Sequence, residues 1–90
     1  MTISVRNNTV ANIQAAISIW AEKHGDTSTF TIRAGATETW GGRDDPRGFI
    51  LALTQNGGMK TYLVMENDNI IVNDDNVMNN NHTIHPLHHE

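Results

Sequence analysis

The chain has 90 residues, a formal net charge of −4 and no cysteine. That length suits one domain with a small core, and the lack of cysteine excludes disulfides and thiolate metal sites. An acidic chain without a Lys/Arg cluster lacks the basic footprint that nucleic acid or an anionic lipid surface requires.

Residues 1–20 hold no basic segment followed by an apolar stretch, and no apolar run approaches the roughly 20 residues that span a bilayer. The expectation is a cytoplasmic or non-classically released protein with no signal peptide and no membrane insertion. The missing disulfides point the same way.

In chain order, residues 2–6 alternate, with Ile3 and Val5 on one side, as in a strand. Asn7-Asn8-Thr9 is a polar turn and also an N-x-T sequence, which carries no meaning for a chain that is not exported. Residues 10–23 fit two patterns. As a strand, Ile13, Ala15, Ile17 and Ile19 share a face; as a helix, Val10, Ile13, Ala16, Ile17 and Trp20 form a stripe, with Thr9 as its cap and Gly25 at its end.

Beyond a turn at residues 24–27, residues 28–33 form a strand with Phe30 and Ile32 inward, and residues 37–40 a short one. Residues 49–53 are apolar on both faces and belong centrally in a sheet. Asn56-Gly57 is the strongest hairpin signal, and residues 49–73 read as a three-stranded meander. Residues 1–78 are expected to form the compact domain. Residues 79–90 are expected to be a polar, His-rich tail whose removal costs little.

Residues 38–49, E-T-W-G-G-R-D-D-P-R-G-F, concentrate the chemistry. Trp40 offers a flat apolar face, Asp44 and Asp45 are acceptors, and Arg43 and Arg47 are fork-shaped donors. Such a loop suits a sugar: an aromatic plate packs against the C–H-rich face of a pyranose while charged groups grip vicinal hydroxyls. Trp20 is a second candidate plate. The same residues also suit a structural turn in which Arg and Asp pair with each other and Trp40 caps the core.

Metal sites are not expected. Asp68, Asp74 and Asp75 lack the Gly and final Glu of a calcium loop, and His82, His85, His88 and His89 have no second ligand cluster. There is no G-x-S-x-G, H-E-x-x-H or P-loop. Adjacent Asp44 and Asp45 would face opposite ways rather than converge on one glycosidic bond. No cofactor and no catalysis are expected.

The order V-R-N-N-T, A-I-S-I-W, S-T-F-T-I, A-G-x-x-E-T-W and R-D-D-P-R-G-F, over residues 4–72, resembles the small mushroom lectins of the Lyophyllum decastes lectin type. That α-galactosyl-binding family occurs in fungi and plants. The resemblance implies a compact, cysteine-free, homodimeric β-domain that binds galactose-containing glycans. It favours the strand at residues 10–23.

The expected fold is therefore all-β: a small antiparallel sandwich or sheet of six to seven strands, with α+β and a helix at residues 10–23 as the alternative. A homodimer is also expected because residues 49–53 and 70–72 carry more apolar surface than one small sheet face covers. The alternatives to a lectin are a lipid-headgroup or membrane-binding β-module and a structural protein–protein interaction domain.

Overall fold

The computed structural model describes residues 2–19, 28–43 and 45–87, and among these it is all-β, with no helix. Nine strands occur: β1 (Thr2–Asn7), β2 (Ile13–Ile17), β3 (Phe30–Ile32), β4 (Thr37–Gly41), β5 (Phe49–Gln55), β6 (Gly58–Val64), β7 (Asn69–Val72), β8 (Val77–Asn79) and β9 (His82–Ile84). They make a five-stranded sheet in the order β4-β1-β7-β8-β9 and a four-stranded sheet in the order β3-β2-β5-β6.

The period-two pattern explains which side of each strand is buried, since successive side chains point to opposite faces. In β1, Ile3 and Val5 are fully buried while Thr2 and Arg6 face solvent. In β2, Ile13, Ala15 and Ile17 are buried and Gln14 is exposed. β5 buries Phe49, Leu51 and Leu53, and β6 buries Tyr62 and Val64. The inward sets of both sheets form one apolar cluster, as in a two-layer sandwich. Phe30 on the second sheet meets Trp40 on the first edge to face, with ring centroids 5.9 Å apart.

Asn7 continues the inward parity of β1 and is fully buried. Its Nδ2 donates to the carbonyls of Ala11 (2.7 Å) and Ile32 (2.9 Å), and its Oδ1 accepts from the Thr9 amide (3.0 Å) and hydroxyl (2.7 Å). A buried amide satisfied on both sides fixes the β1–β2 connection. The tight β5–β6 turn has Asn56 at φ 55° and Gly57 at φ 80°, the left-handed pair that a two-residue hairpin of matching twist requires.

Several expectations are corrected. The all-β sandwich expected is the fold found, but the described residues form nine strands where about six to seven were expected, because the chain beyond residue 73 also pairs. The fold is not purely antiparallel: β1 and β7 pair in parallel, Val5 opposite Ile70 and Asn7 opposite Val72. The chain changes sheet after β1, β3, β4 and β6, and β4 and β7 flank β1 in the first sheet; because β6 and β7 lie in different sheets, residues 49–73 do not form the single meander expected.

Where residues 10–23 could be read as helix, Ile13–Ile17 is a strand; residues 20–23 lie outside the described residues. The boundary at residue 78 falls inside β8. Asn80 and Asn81, at φ 51° and 71°, turn the chain into β9, so residues 79–84 extend the first sheet rather than form a loose tail.

Candidate functional site

The loop at residues 38–49 is built into the scaffold. In β4, Trp40 stands opposite Ile3 of β1, so the parity that sends Thr37 and Thr39 outward sends the indole inward. Trp40 is only 3% exposed, and its Nε1 is buried without a hydrogen-bond partner. It is a core side chain and does not offer the surface plate expected of it. The register with β1 decides this: the Thr-x-Thr alternation around Trp40 already marked the opposite face as outward.

Arg43 is fully buried as well. Its guanidinium donates to three carbonyls: Nε to Ser18 (3.1 Å), Nη2 to Ile17 (3.0 Å) and Nη1 to Gly41 (2.9 Å). One side chain thereby ties the end of β2 to the end of β4, using the planar fork that only arginine has.

Asp45 is buried and accepts from the backbone amide and Nε of Arg47 through Oδ1, both at 2.9 Å, and from Nη2 through Oδ2 at 2.5 Å. This bidentate pair closes a turn in which the Gly48 amide donates to the Asp45 carbonyl. Gly48 sits at φ +83°, and a Cβ there would lie 3.1 Å from the Val64 carbonyl oxygen. Trp40, through Phe30, and Arg43 thus link the two sheets, while Asp45 and Arg47 close the turn that leads from β4 to β5. Trp20 and Asp44 lie outside the described residues.

A different place gathers unpaired polar groups. Between β6, at the edge of the second sheet, and the β7–β8 turn with β9, at the edge of the first, lies a cleft of about 510 Å³. Leu53, Tyr62, Val77 and Ile84 give it apolar walls. Asn56 and Lys60 reach it from the β5–β6 hairpin, Asp74, Asp75 and Asn76 from the opposite turn, and Thr83, His85 and Pro86 from the C-terminal side.

The frame of the cleft is hydrogen-bonded. Gln55 Nε2 donates across the sheets to the Asn73 carbonyl at 2.9 Å. Asn73 holds its own turn through backbone and side-chain bonds to Asn76, both 2.9 Å. Asn76 Nδ2 donates to Thr83 Oγ1 at 3.3 Å, and the Leu87 amide donates to the Thr61 carbonyl at 2.7 Å, carrying the chain across the cleft from one sheet to the other.

Within that frame the side chains of Lys60, Asp74, Asp75 and His85 make no hydrogen bond or ion pair among the described residues, and all four are exposed. Burial raises the Tyr62 phenol above its ordinary value of 10.0.

Sequence reasoning missed this cleft because its walls come from segments far apart in the chain, joined only by the meeting of two sheet edges. Asp74 and Asp75 stand at this cleft, apart from Asp68. Asp68 instead is buried and accepts from the Met65 amide (2.7 Å), Asn79 Nδ2 (2.7 Å) and Asn80 Nδ2 (3.3 Å). Among the described residues no three His, Cys, Asp or Glu converge on a metal position, and no helix is long and apolar enough to cross a membrane.

The fold and cleft define a small two-sheet β-sandwich with a mixed apolar and polar groove at its open edge. Comparison with protein-family models, with curated proteins and with solved structures finds no match to the chain in any of the three.

Proposed function

We propose that the protein is a non-catalytic carbohydrate-binding domain whose glycan lies in the cleft between β6 and the β8–β9 edge. The observation that carries the reading is the composition of that cleft. Its volume is in the range of small-molecule sites, roughly 300–1,000 Å³, and its apolar walls with a few convergent polar groups match their usual make-up.

A pyranose has a C–H-rich face for Ile84 and Pro86, the apolar side chains of the cleft that are not buried, and vicinal hydroxyls for the groups around them. Asp74 and Asp75 supply ionised acceptors, which form stronger hydrogen bonds than neutral ones. Lys60 and the Tyr62 hydroxyl supply donors. Galactose-containing glycans are the first ligands to try, because of the sequence resemblance described above. The arrangement of the loop at residues 38–49 moves the proposed site away from Trp40, Arg43, Asp45 and Arg47.

A glycan array with the full chain identifies the sugar, and titration calorimetry on the best galactoside tests the site. Asp74→Asn with Asp75→Asn should weaken binding about ten- to a hundred-fold, the loss of a charged hydrogen bond of about 1.5–3 kcal/mol, with little change in melting temperature. Array silence across all glycans, or unchanged affinity in the folded double variant, would overturn the proposal.

A further inference from the structure

We propose that Asn56 is a site of spontaneous deamidation in the folded protein, and that its product makes the cleft more acidic. The reaction needs no enzyme. The backbone nitrogen of the next residue attacks the side-chain carbonyl carbon of asparagine, ammonia leaves, and a succinimide ring closes. Water then opens the ring. Opening at the former side-chain carbonyl leaves aspartate. Opening at the backbone carbonyl leaves isoaspartate, in which the main chain runs through the side chain and is one carbon longer. By either route one water is taken up, one ammonia is released and one carboxylate is gained.

Both partners of the ring closure are free at this position. Asn56-Gly57 is the one Asn-Gly pair in the chain, and a glycine offers its nitrogen without a side chain beside it. Asn56, Gly57 and Gly58 are exposed, and beyond its chain neighbours nothing lies within 4 Å of where a Cβ on Gly57 would stand. The register pairs Gln55 with Gly58, which leaves the Gly57 amide outside the ladder. Neither that amide nor the Asn56 side chain makes a hydrogen bond among the described residues. Other asparagines lack one partner or the other. The side chains of Asn7, Asn73 and Asn79 are held by hydrogen bonds. Asn12 precedes the branched Ile13, and Asn81 precedes His82, which enters β9. The Asp68 amide behind Asn67 donates to the Met65 carbonyl at 3.1 Å.

Asn56 sits at φ 55° and Gly57 at φ 80°, and the chain must leave that turn to bring the Gly57 nitrogen onto the Asn56 carbonyl carbon. Local opening takes microseconds to seconds, far less than the days over which the ring closes, so the open tip stays in equilibrium with the closed one. Asn56 lines the cleft together with Asp74 and Asp75. A third carboxylate there takes the formal net charge one unit below −4. The aspartate product keeps the hairpin, since Asp-Gly suits the same turn. The isoaspartate product lengthens the loop and disturbs the Gln55–Gly58 register.

Timed incubation of the full chain at physiological temperature, followed by tryptic mass mapping, tests the proposal. Cleavage after Arg47 and Lys60 isolates residues 48–60, in which Asn56 is the only asparagine. That peptide should acquire the deamidation mass about tenfold faster than the other asparagine-bearing peptides, because only there does glycine follow. It should separate into aspartate and isoaspartate forms. The rate should rise in mildly alkaline buffer, since the attacking nitrogen must lose its proton. Residues 48–60 that stay unmodified in the folded chain, or change only in urea, overturn the proposal. The effect on a ligand rests on the glycan reading above. Asn56→Asp, which fixes the aspartate product, should bind the best galactoside about three- to tenfold more weakly, through one neutral hydrogen-bond donor lost. Unchanged affinity in that variant overturns the effect on the ligand. A parent chain that binds no glycan rejects the reading of the cleft, and the mass result still decides the deamidation.

Discussion

Arg43 shows how much one side chain can hold. Its three carbonyl acceptors belong to Ile17, Ser18 and Gly41, at the ends of two strands in different sheets. Arg43→Met keeps much of the bulk and strands those acceptors. At about 1.5–3 kcal/mol per charged hydrogen bond, with partial rehydration, the loss should exceed about 3 kcal/mol. A domain of this size would then melt more than about 10 °C lower, which a thermal denaturation curve would show.

Trp40→Ala should cost about 3–5 kcal/mol through the cavity it leaves and leave glycan affinity unchanged in the folded fraction. Trp40→Phe should cost distinctly less, since it also removes the buried indole N–H that has no acceptor. Equal losses in the two variants, read from denaturant midpoints, would contradict the packing described. For Tyr62 the folded state holds the proton more tightly than the unfolded state. Its contribution to stability is therefore complete below pH 10 and is lost as pH rises through the raised folded value. The melting temperature of the parent minus that of Tyr62→Phe should fall as pH passes 10.

At the scale of the element, the C-terminal strands depart most from what the sequence suggested. Residues 73–87 are rich in Asn and His and carry no apolar alternation, yet Val77 is buried and β8 and β9 pair in register, Val77 opposite Ile84. Asparagines do the work that apolar periodicity does elsewhere: Asn80 and Asn81 tolerate left-handed φ, and Asn79 and Asn80 bond Asp68. Deleting residues 82–90 should therefore lower stability measurably, because it strips β9 from β8 and a wall from the cleft. A truncated protein that melts like the parent would show that β9 is dispensable.

Strand β1 was legible because its alternation is regular, and β5 and β6 because their turn, Asn56-Gly57, has one main structural use; β2 fits a helix as well as a strand on pattern, and only the resemblance favoured the strand. The parallel β1–β7 pair was not, since period-two alternation says which face is buried but not which neighbour is paired. The loop at residues 38–49 was legible as stiff but fits two uses, a sugar site and a structural turn, and its burial follows the second, with Arg47 paired to Asp45 and Trp40 in the core. Charge-rich composition suggests solvent, but Arg43 and Asp45 are buried because each meets enough hydrogen-bonding partners to offset its desolvation.

Across the whole molecule, two sheets share one core, and the cleft forms where their edges meet. The proposed glycan site therefore draws its groups from both sheets, so a substitution that loosens one sheet edge should weaken binding as well as stability, whereas Val10→Lys, in the β1–β2 loop, should change neither.

The most direct test of the proposed function is a two-dimensional amide NMR titration of the full chain with the best-binding galactoside. Shifts should concentrate at residues 53–62 and 74–86 and spare residues 38–48. Shifts centred on residues 38–48, or none at saturating ligand, would contradict the assignment of the cleft as the binding site.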